Sequence, residues 1–201
     1  IMDNCGMLEN YAEIDKALAD LNGNAPAWRL SEETPIIEGF NQKLSRYMFF
    51  GNEATEPEGF TGLAPRYNTI TGVENKDHIF SGSVTGAGSN YTSIWLVVWG
   101  PNTVHMLYPK GSQAGLLVED KGQVTIENLN GDGGRMEAYR THYRWDAGMT
   151  VRDWRYVSRI QIATSILTND GATGPKLTDW LATALEMIPN INAGRAAFYC
   201  N

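Results

Sequence analysis

The chain has 201 residues, of which 42% are hydrophobic and 19% charged, so it can bury a core and lacks the composition of a disordered chain. Its net charge of −7 argues against non-specific DNA binding, which needs clustered lysine and arginine. The two cysteines, Cys5 and Cys200, form neither a disulfide framework nor a zinc motif. The longest apolar run, Ile94 to Trp99, is too short to cross a membrane.

The N-terminal quarter of the chain predicts a strand followed by helices. Residues 6–15 have strand-like content, and "KALADLNGNAP" predicts a short helix stopped by Asn-Gly-Asn. Ser31, followed by two glutamates, is typical of a helix start. Apolar residues then recur at helical spacing up to Phe50, where Gly51 supplies a left-handed stop.

The centre of the chain is rich in predicted strands. Residues 51–92 read as loops, whereas "SIWLVVWG" (93–100) is apolar on both faces and predicts a buried central strand with Trp95 and Trp99 buried. "TVHMLYP" is expected to return as its hairpin partner. A second hairpin is predicted around "LNGDGG", a helix in "KLTDWLATALEMI" before Pro189, and a strand in "RAAFYCN". The fold class is therefore α+β.

Half of the ten arginines lie within residues 139–160, interleaved with aromatic residues. As a strand, "AYRTHYRWD" places Tyr139, Thr141, Tyr143 and Trp145 on one face, and Arg140, His142, Arg144 and Asp146 on the other. Asp153 is expected to cap a short helix that sets Arg155 and Arg159 one turn apart. Three interpretations compete: an enzyme with His142 as base and Asp146 or Asp153 as acid, a nucleic-acid groove with Trp145 and Trp154 as stacking platforms, or a structural framework. The alternation favours the framework, with arginines pairing inside the fold or across a subunit boundary.

Motifs for metals and cofactors fail on spacing. "NLNGDGG" begins like a calcium loop, but its twelfth position is Tyr139 instead of glutamate. The chain has no P-loop, no GxSxG elbow and no HxxxH pair among His78, His105 and His142. We therefore expect no cofactor, no metal and no catalytic residues.

Three blocks carry a family resemblance: "FFGNEATEPEGFTGLAPRYN" (49–68), "TSIWLVVWGPNTVHMLYPKGSQAGL" (92–116) and "YRTHYRWDAGMTVRDWRYVSRIQIA" (139–163). With them the chain resembles the major capsid proteins of tailed bacteriophages, in the group of the Epsilon-fifteen type of short-tailed phage, including prophage copies. The resemblance implies the Hong Kong ninety-seven capsid fold and a structural protein, not an enzyme. Its function would be to self-assemble into an icosahedral head that encloses a double-stranded DNA genome.

The resemblance also implies an organisation. Residues 1–55 would belong to a peripheral domain with a spine helix at 31–50, residues 56–190 to an axial domain, and residues 191–201 to a strand returning to the peripheral domain. Family members run on at both ends. We therefore expect a fragment that lacks an N-terminal arm and extended loop before Ile1, and further peripheral strands after Asn201.

Partners and location follow from the same resemblance. The partners would be copies of the chain in hexamers and pentamers, with scaffold and portal proteins, and DNA would be enclosed without sequence-specific binding or any membrane. The protein would be made in the bacterial host cytoplasm and end in the virion capsid. The predicted inter-subunit contacts are Arg140, Arg144, Arg152, Arg155 and Arg159.

Two alternative functions remain open at this point. A carbohydrate-binding module is suggested by six tryptophans, nine tyrosines and glycine-rich loops, and it would need exposed aromatic side chains in a groove. A hydrolase using His142 and Asp146 would need a pocket on which both side chains converge.

Overall fold

A computed structural model of the chain describes residues 3–21, 23–69, 74–81, 91–127, 133–164 and 177–200. Its α-helices are α1 (Lys16–Leu21), α2 (Ala25–Phe50), α3 (Leu63–Arg66) and α4 (Leu177–Glu186). Its strands are β1 (Cys5–Asp15), β2 (Ile79–Ser81), β3 (Tyr91–Trp99), β4 (Val104–Leu107), β5 (Leu116–Glu127), β6 (Arg135–Val151), β7 (Val157–Ala163) and β8 (Arg195–Tyr199). Short 3₁₀ helices cover Glu74–His78, Trp154–Tyr156 and Ile191–Ala193.

The chain divides into two compact units. The first unit consists of Ile1–Gly62 and Leu107–Gly148, and the second of Leu63–Met106 and Met149–Asn201. Both units are therefore built from segments distant in sequence. This division does not test the predicted boundaries between the peripheral and axial domains at residues 55 and 190, which therefore stay a prediction.

The first unit contains an antiparallel sheet with β6 in the middle. β1 pairs with one edge of β6, from Cys5↔Gly148 to Asp15↔Ala138, and β5 pairs with the other edge. The predicted hairpin of β5 and β6 is confirmed, although its tip at residues 128–132 lies outside the described residues. Helix α2 covers one face of this sheet, where Ala12, Phe40 and Tyr143 form a buried cluster.

Helix α2 ends where the sequence predicts but begins six residues earlier, at Ala25. Pro26 lies in its first turn, a position that suits proline because those N–H groups have no partner within the helix. The prediction of a start at Ser31 was wrong because this earlier signal prevails and Ser31 lies in the helix interior. Gly51 is also not left-handed, since its φ is −56° and its ψ 139°. A side chain there would collide with the backbone oxygens of Phe60 and Tyr47.

Strand β3 is the buried central strand of the second unit, as predicted. It pairs with β7 along Tyr91–Val97 and with β8 along Trp95–Trp99. Its residues Leu96, Val97 and Val98 are almost fully buried. The apolar character of both faces therefore reflects cover on both faces.

Two details around β3 differ from the predictions. Trp95 is only 3% exposed, whereas Trp99 is partly buried and donates its indole N–H to the hydroxyl of Tyr199 at 2.8 Å. Strand β4 is not a hairpin partner, since it meets β3 through a single parallel bridge, Trp99↔Val104. The reason is that β7 and β8 already occupy the two edges of β3.

Helix α4 completes the core of the second unit. Its Ala184, with Ile188 beyond its end, packs on Leu96 and Val98 of β3 and on neighbouring side chains of β7. The predicted helix and the predicted C-terminal strand are both confirmed.

His78 is a buried histidine in the second unit. Its ring meets Trp154 edge-on at 5.2 Å between centroids, and its Nδ1 has no hydrogen-bond partner in the described part of the chain. Burial lowers the pKa of His78, although a hydrogen bond with the backbone of Val157 opposes the shift. The imidazole is therefore held neutral where the unfolded chain would bind a proton.

We predict that acidification destabilises the protein through His78. The unfolded chain takes up a proton near pH 6.5 while the folded chain does not, so the unfolding free energy falls as the pH drops through 6.5. The slope from one such group is at most about 1.4 kcal/mol per pH unit. Urea unfolding between pH 5 and pH 8 should show a shallower acid-side loss for His78→Phe. Equal slopes in both proteins would contradict the prediction.

Candidate functional site

The arginine-rich strand β6 carries charged side chains on its outer face, which is the face away from α2. Arg140 lies opposite Glu13 of β1 and forms an ion pair with it at 2.6 Å. His142 Nε2 lies 2.6 Å from Glu9 Oε1, and its ring stacks on Tyr11 with centroids 4.6 Å apart. Arg140 and His142 are therefore each paired with a carboxylate of β1 across the sheet of the first unit.

Further along the same face, Arg144 binds a buried carboxylate. Asp146 is 4% exposed, and it accepts hydrogen bonds from Arg144 Nε at 3.0 Å and from Ser112 Oγ at 2.9 Å. Burial by itself raises the pKa of Asp146, but these hydrogen bonds outweigh it and the net shift is downward. The carboxylate is therefore ionised and holds the guanidinium in place.

The arginines of the second unit have different surroundings. Arg152 is exposed, and its backbone N–H donates to Thr103 O at 2.8 Å. Arg155 pairs with Asp153 at 2.7 Å. Arg159 donates to Tyr67 O at 2.6 Å, its guanidinium lies 4.8 Å from the ring centroid of Trp95, and burial lowers its pKa.

The predicted cap at Asp153 is confirmed, since its carboxylate accepts the backbone N–H of Arg155. The predicted helical turn between Arg155 and Arg159 was wrong. The 3₁₀ helix ends at Tyr156, and Arg159 already belongs to β7. In "VSRIQIA" the buried isoleucines alternate with Arg159 and Gln161, a pattern that suits a strand, and this pattern prevails over the cap signal.

The inner face of β6 contains a polar network that the sequence analysis did not find. Glu33 of α2 is 6% exposed and accepts hydrogen bonds from the hydroxyls of Thr141 and Tyr143, each at 2.6 Å. Arg29, one turn earlier, donates to Thr141 at 2.9 Å and forms a bidentate pair with Asp120 of β5 at 2.9 and 3.0 Å. This network connects α2 to both β6 and β5.

The sequence analysis assigned Glu33 to a helix start, where acidic residues are common, and it predicted no partner for this side chain. Thr141 and Tyr143 were correctly placed on the inner face. Two hydroxyl groups on the core-facing side of a strand need hydrogen-bond acceptors when they are buried. That requirement was the signal in the sequence that could have predicted a buried acceptor.

The alternative functions find no site among the described residues. His142 and Asp146 are four positions apart on one strand, a separation of about 13 Å, and each is bonded to a different partner. The described residues hold no group of three potential metal ligands. Trp95 is buried, and the exposed Tyr11 lies flat against His142, so no aromatic groove is formed by these residues.

Comparisons with known proteins agree with the structural interpretation. A family model described as major capsid protein GP7 matches residues 1–201. Among solved structures, the chain is similar to a chain of bacteriophage Epsilon15, determined by electron cryo-microscopy and modelling. The identity is 40% and the TM-score 0.66, over 93% of this chain and 56% of that chain. No curated protein matches.

These similarities define the class as a structural protein of a bacteriophage capsid, with the α+β capsid fold that was predicted. The chain belongs to the family of the major capsid protein GP7. It spans a little over half of the Epsilon15 chain that it matches. The prediction that it is not an enzyme is confirmed by this membership, and the carbohydrate-binding and hydrolase alternatives are unsupported. None of the described helices is both long and apolar enough to cross a membrane.

We predict that Glu33→Ala destabilises the first unit by roughly 3 kcal/mol, because two buried hydroxyls lose their shared acceptor and Arg29 loses a carboxylate 4.0 Å away. Glu32→Ala is the matched control, since Glu32 is an exposed neighbour on the same helix and should change stability by less than about 0.5 kcal/mol. Chemical denaturation of both variants measures the difference. Equal stability would show that the network contributes nothing.

Proposed function

We propose that the protein forms the shell of a tailed bacteriophage head. In this proposal, copies of it assemble into hexamers and pentamers of an icosahedral capsid that encloses double-stranded DNA. The main support is the family match along residues 1–201, joined to 40% identity with a chain of bacteriophage Epsilon15. Scaffold and portal proteins would be further partners. The protein would be made in the cytoplasm of a bacterial host, from a phage or prophage gene, before entering the virion.

The electrostatics support enclosure of DNA without sequence readout. The net charge is −7, and most of the described arginines are engaged inside the fold by carboxylates or carbonyls. A protein that binds DNA tightly would leave such side chains free for phosphates. Contacts between copies, and not contacts with the genome, would therefore dominate assembly.

The predicted inter-subunit contacts can now be ranked by their surroundings. Arg152 is exposed, and among the described residues its side chain has no hydrogen-bond or ion-pair partner. Arg140, Arg144 and Arg155 each have a carboxylate within their own unit, and Arg159 is held among Tyr67, Ser93 and Trp95. We infer that Arg152 is the best candidate for a contact with another subunit and Arg159 the poorest.

The full-length protein, expressed with and without its scaffold, should assemble into closed shells or into hexameric and pentameric capsomers. Electron microscopy and sedimentation velocity detect these species directly. A protein that stays strictly monomeric at high concentration under both conditions would refute the shell proposal.

Arg152→Ala and Arg159→Ala should separate assembly from folding. We expect Arg152→Ala to change the unfolding free energy by less than about 0.5 kcal/mol while it reduces the yield of shells. Arg159→Ala should lower stability, because it removes the donor to Tyr67 and the cation over Trp95. Thermal melts and sedimentation of both variants decide the point. Normal assembly of Arg152→Ala would remove this residue from the interface.

A further inference from the structure

A polar cleft of about 720 Å³ opens on the outer face of the sheet in the first unit. It lies where the loop between β4 and β5 folds over the ends of β1 and β6. The residues that matter for its chemistry are Cys5, Lys110, Ser112, Arg144 and Asp146.

The guanidinium of Arg144 is fixed in this cleft with its terminal nitrogens available. Its Nε is bound to both oxygens of the buried Asp146, at 3.0 and 3.2 Å. Within the described part of the chain, no hydrogen bond engages its Nη1 or Nη2, and the side chain is 44% exposed. The nearest cross-strand carboxylate, Glu9, is bonded to His142. A guanidinium that is held in place through its Nε and presents its Nη1 and Nη2 groups is preorganised to bind an anion.

The remaining lining groups favour a carboxylate as the anion. Lys110 adds a second, exposed cation that forms no ion pair among the described residues. Burial, and secondly the charge of Asp146, raise the pKa of the Cys5 thiol, so this cysteine is not a thiolate nucleophile. Asp146 is already hydrogen-bonded to Arg144 and Ser112. The cleft therefore offers donors and positive charge, but no reactive group.

We propose that this cleft binds an aspartate or glutamate side chain of a neighbouring copy, an inference that rests on the proposed assembly into shells. Charge complementarity supports a second copy as the source. The chain carries 23 acidic residues against 16 basic ones, and exposed acids such as Glu32, Glu58 and Glu74 have no ion pair among the described residues. Exposed carboxylates without an ion pair are thus available on each copy.

Zero-length cross-linking of assembled protein tests the proposal. Copies labelled with ¹⁴N and with ¹⁵N are mixed, assembled and treated with a carbodiimide, which joins an amine to a carboxylate in contact with it. Mass spectrometry should find Lys110 linked to an acidic peptide of the other isotope. Mixed-isotope links of other lysines without any link of Lys110 would overturn the proposal.

The role of Arg144 is tested in the same experiment. Arg144→Gln should reduce the Lys110 cross-link about tenfold, equivalent to one charge-assisted contact. Arg135→Gln is the matched control, because Arg135 is an exposed arginine of the same unit whose partner is Glu127, and it should leave the yield unchanged. An undiminished cross-link in Arg144→Gln would remove this arginine from the site.

A second measurement keeps the cleft testable if the protein does not assemble. In that case the proposed function fails, and N-acetylglutamate amide is titrated into the monomer as a mimic of one glutamate side chain. The backbone amide resonances of Gly111 and Ser112 should shift, with a Kd that rises about tenfold in Lys110→Gln, a variant that leaves the Arg144–Asp146 pair intact. Absence of shifts in the wild-type protein would refute the cleft as a carboxylate site.

Discussion

The buried carboxylate of Glu33 is the interaction on which the first unit depends. It lies between α2 and β6 and accepts hydrogen bonds from two hydroxyl groups of β6. It also lies 4.0 Å from Arg29, which in turn binds Asp120 of β5. A buried carboxylate in this position is unfavourable without such partners, so removal of either partner leaves it uncompensated. Beside this carboxylate, Phe40 and Tyr143 pack together as part of the buried apolar cluster between the helix and the sheet. The two faces of β6 thereby take separate roles, one joined to the helix and one carrying charge.

The distribution of charge explains why an arginine-rich strand does not make a nucleic-acid surface. On the outer face, Arg140 forms an ion pair with Glu13 of β1, and His142 is hydrogen-bonded to Glu9 of β1. Only the terminal nitrogens of Arg144 and the exposed Lys110 remain available in that region of the described structure. An acidic chain that neutralises most of its own cations presents a few local positive positions, and these positions fit carboxylates of an identical copy better than a polyanion. Repeated weak contacts of this kind suit a shell in which each copy meets several others.

Family membership and local chemistry support each other at different levels. The match along the chain shows membership of a capsid protein family, which is not a family of enzymes. The structure agrees with this membership, since His142 and Asp146 are hydrogen-bonded to different partners and do not form a joint site. The hydrogen bonds of Asp146 and Arg159 connect segments of the fold to one another. Two of the three histidines, His78 and His142, differ in their surroundings. His78 is buried with an unpartnered nitrogen, whereas His142 lies between carboxylates on a half-exposed face.

The sequence by itself determined the α+β class, the buried strand around Leu96 to Val98, the β5–β6 hairpin, helix α4 and the two faces of β6, because each depends on a local period of apolar residues. It also carried the resemblance to phage capsid proteins. Tertiary structure decided the rest. The parallel bridge of β4 depends on which edges of β3 other strands occupy. The partners of Glu33 and Arg144 were likewise decided by tertiary structure. The hydrogen bond between Glu33 and Thr141 joins residues more than 100 positions apart, and Ser112, which binds Asp146 beside Arg144, lies in a loop. Contacts of this kind produce no periodic pattern in the sequence.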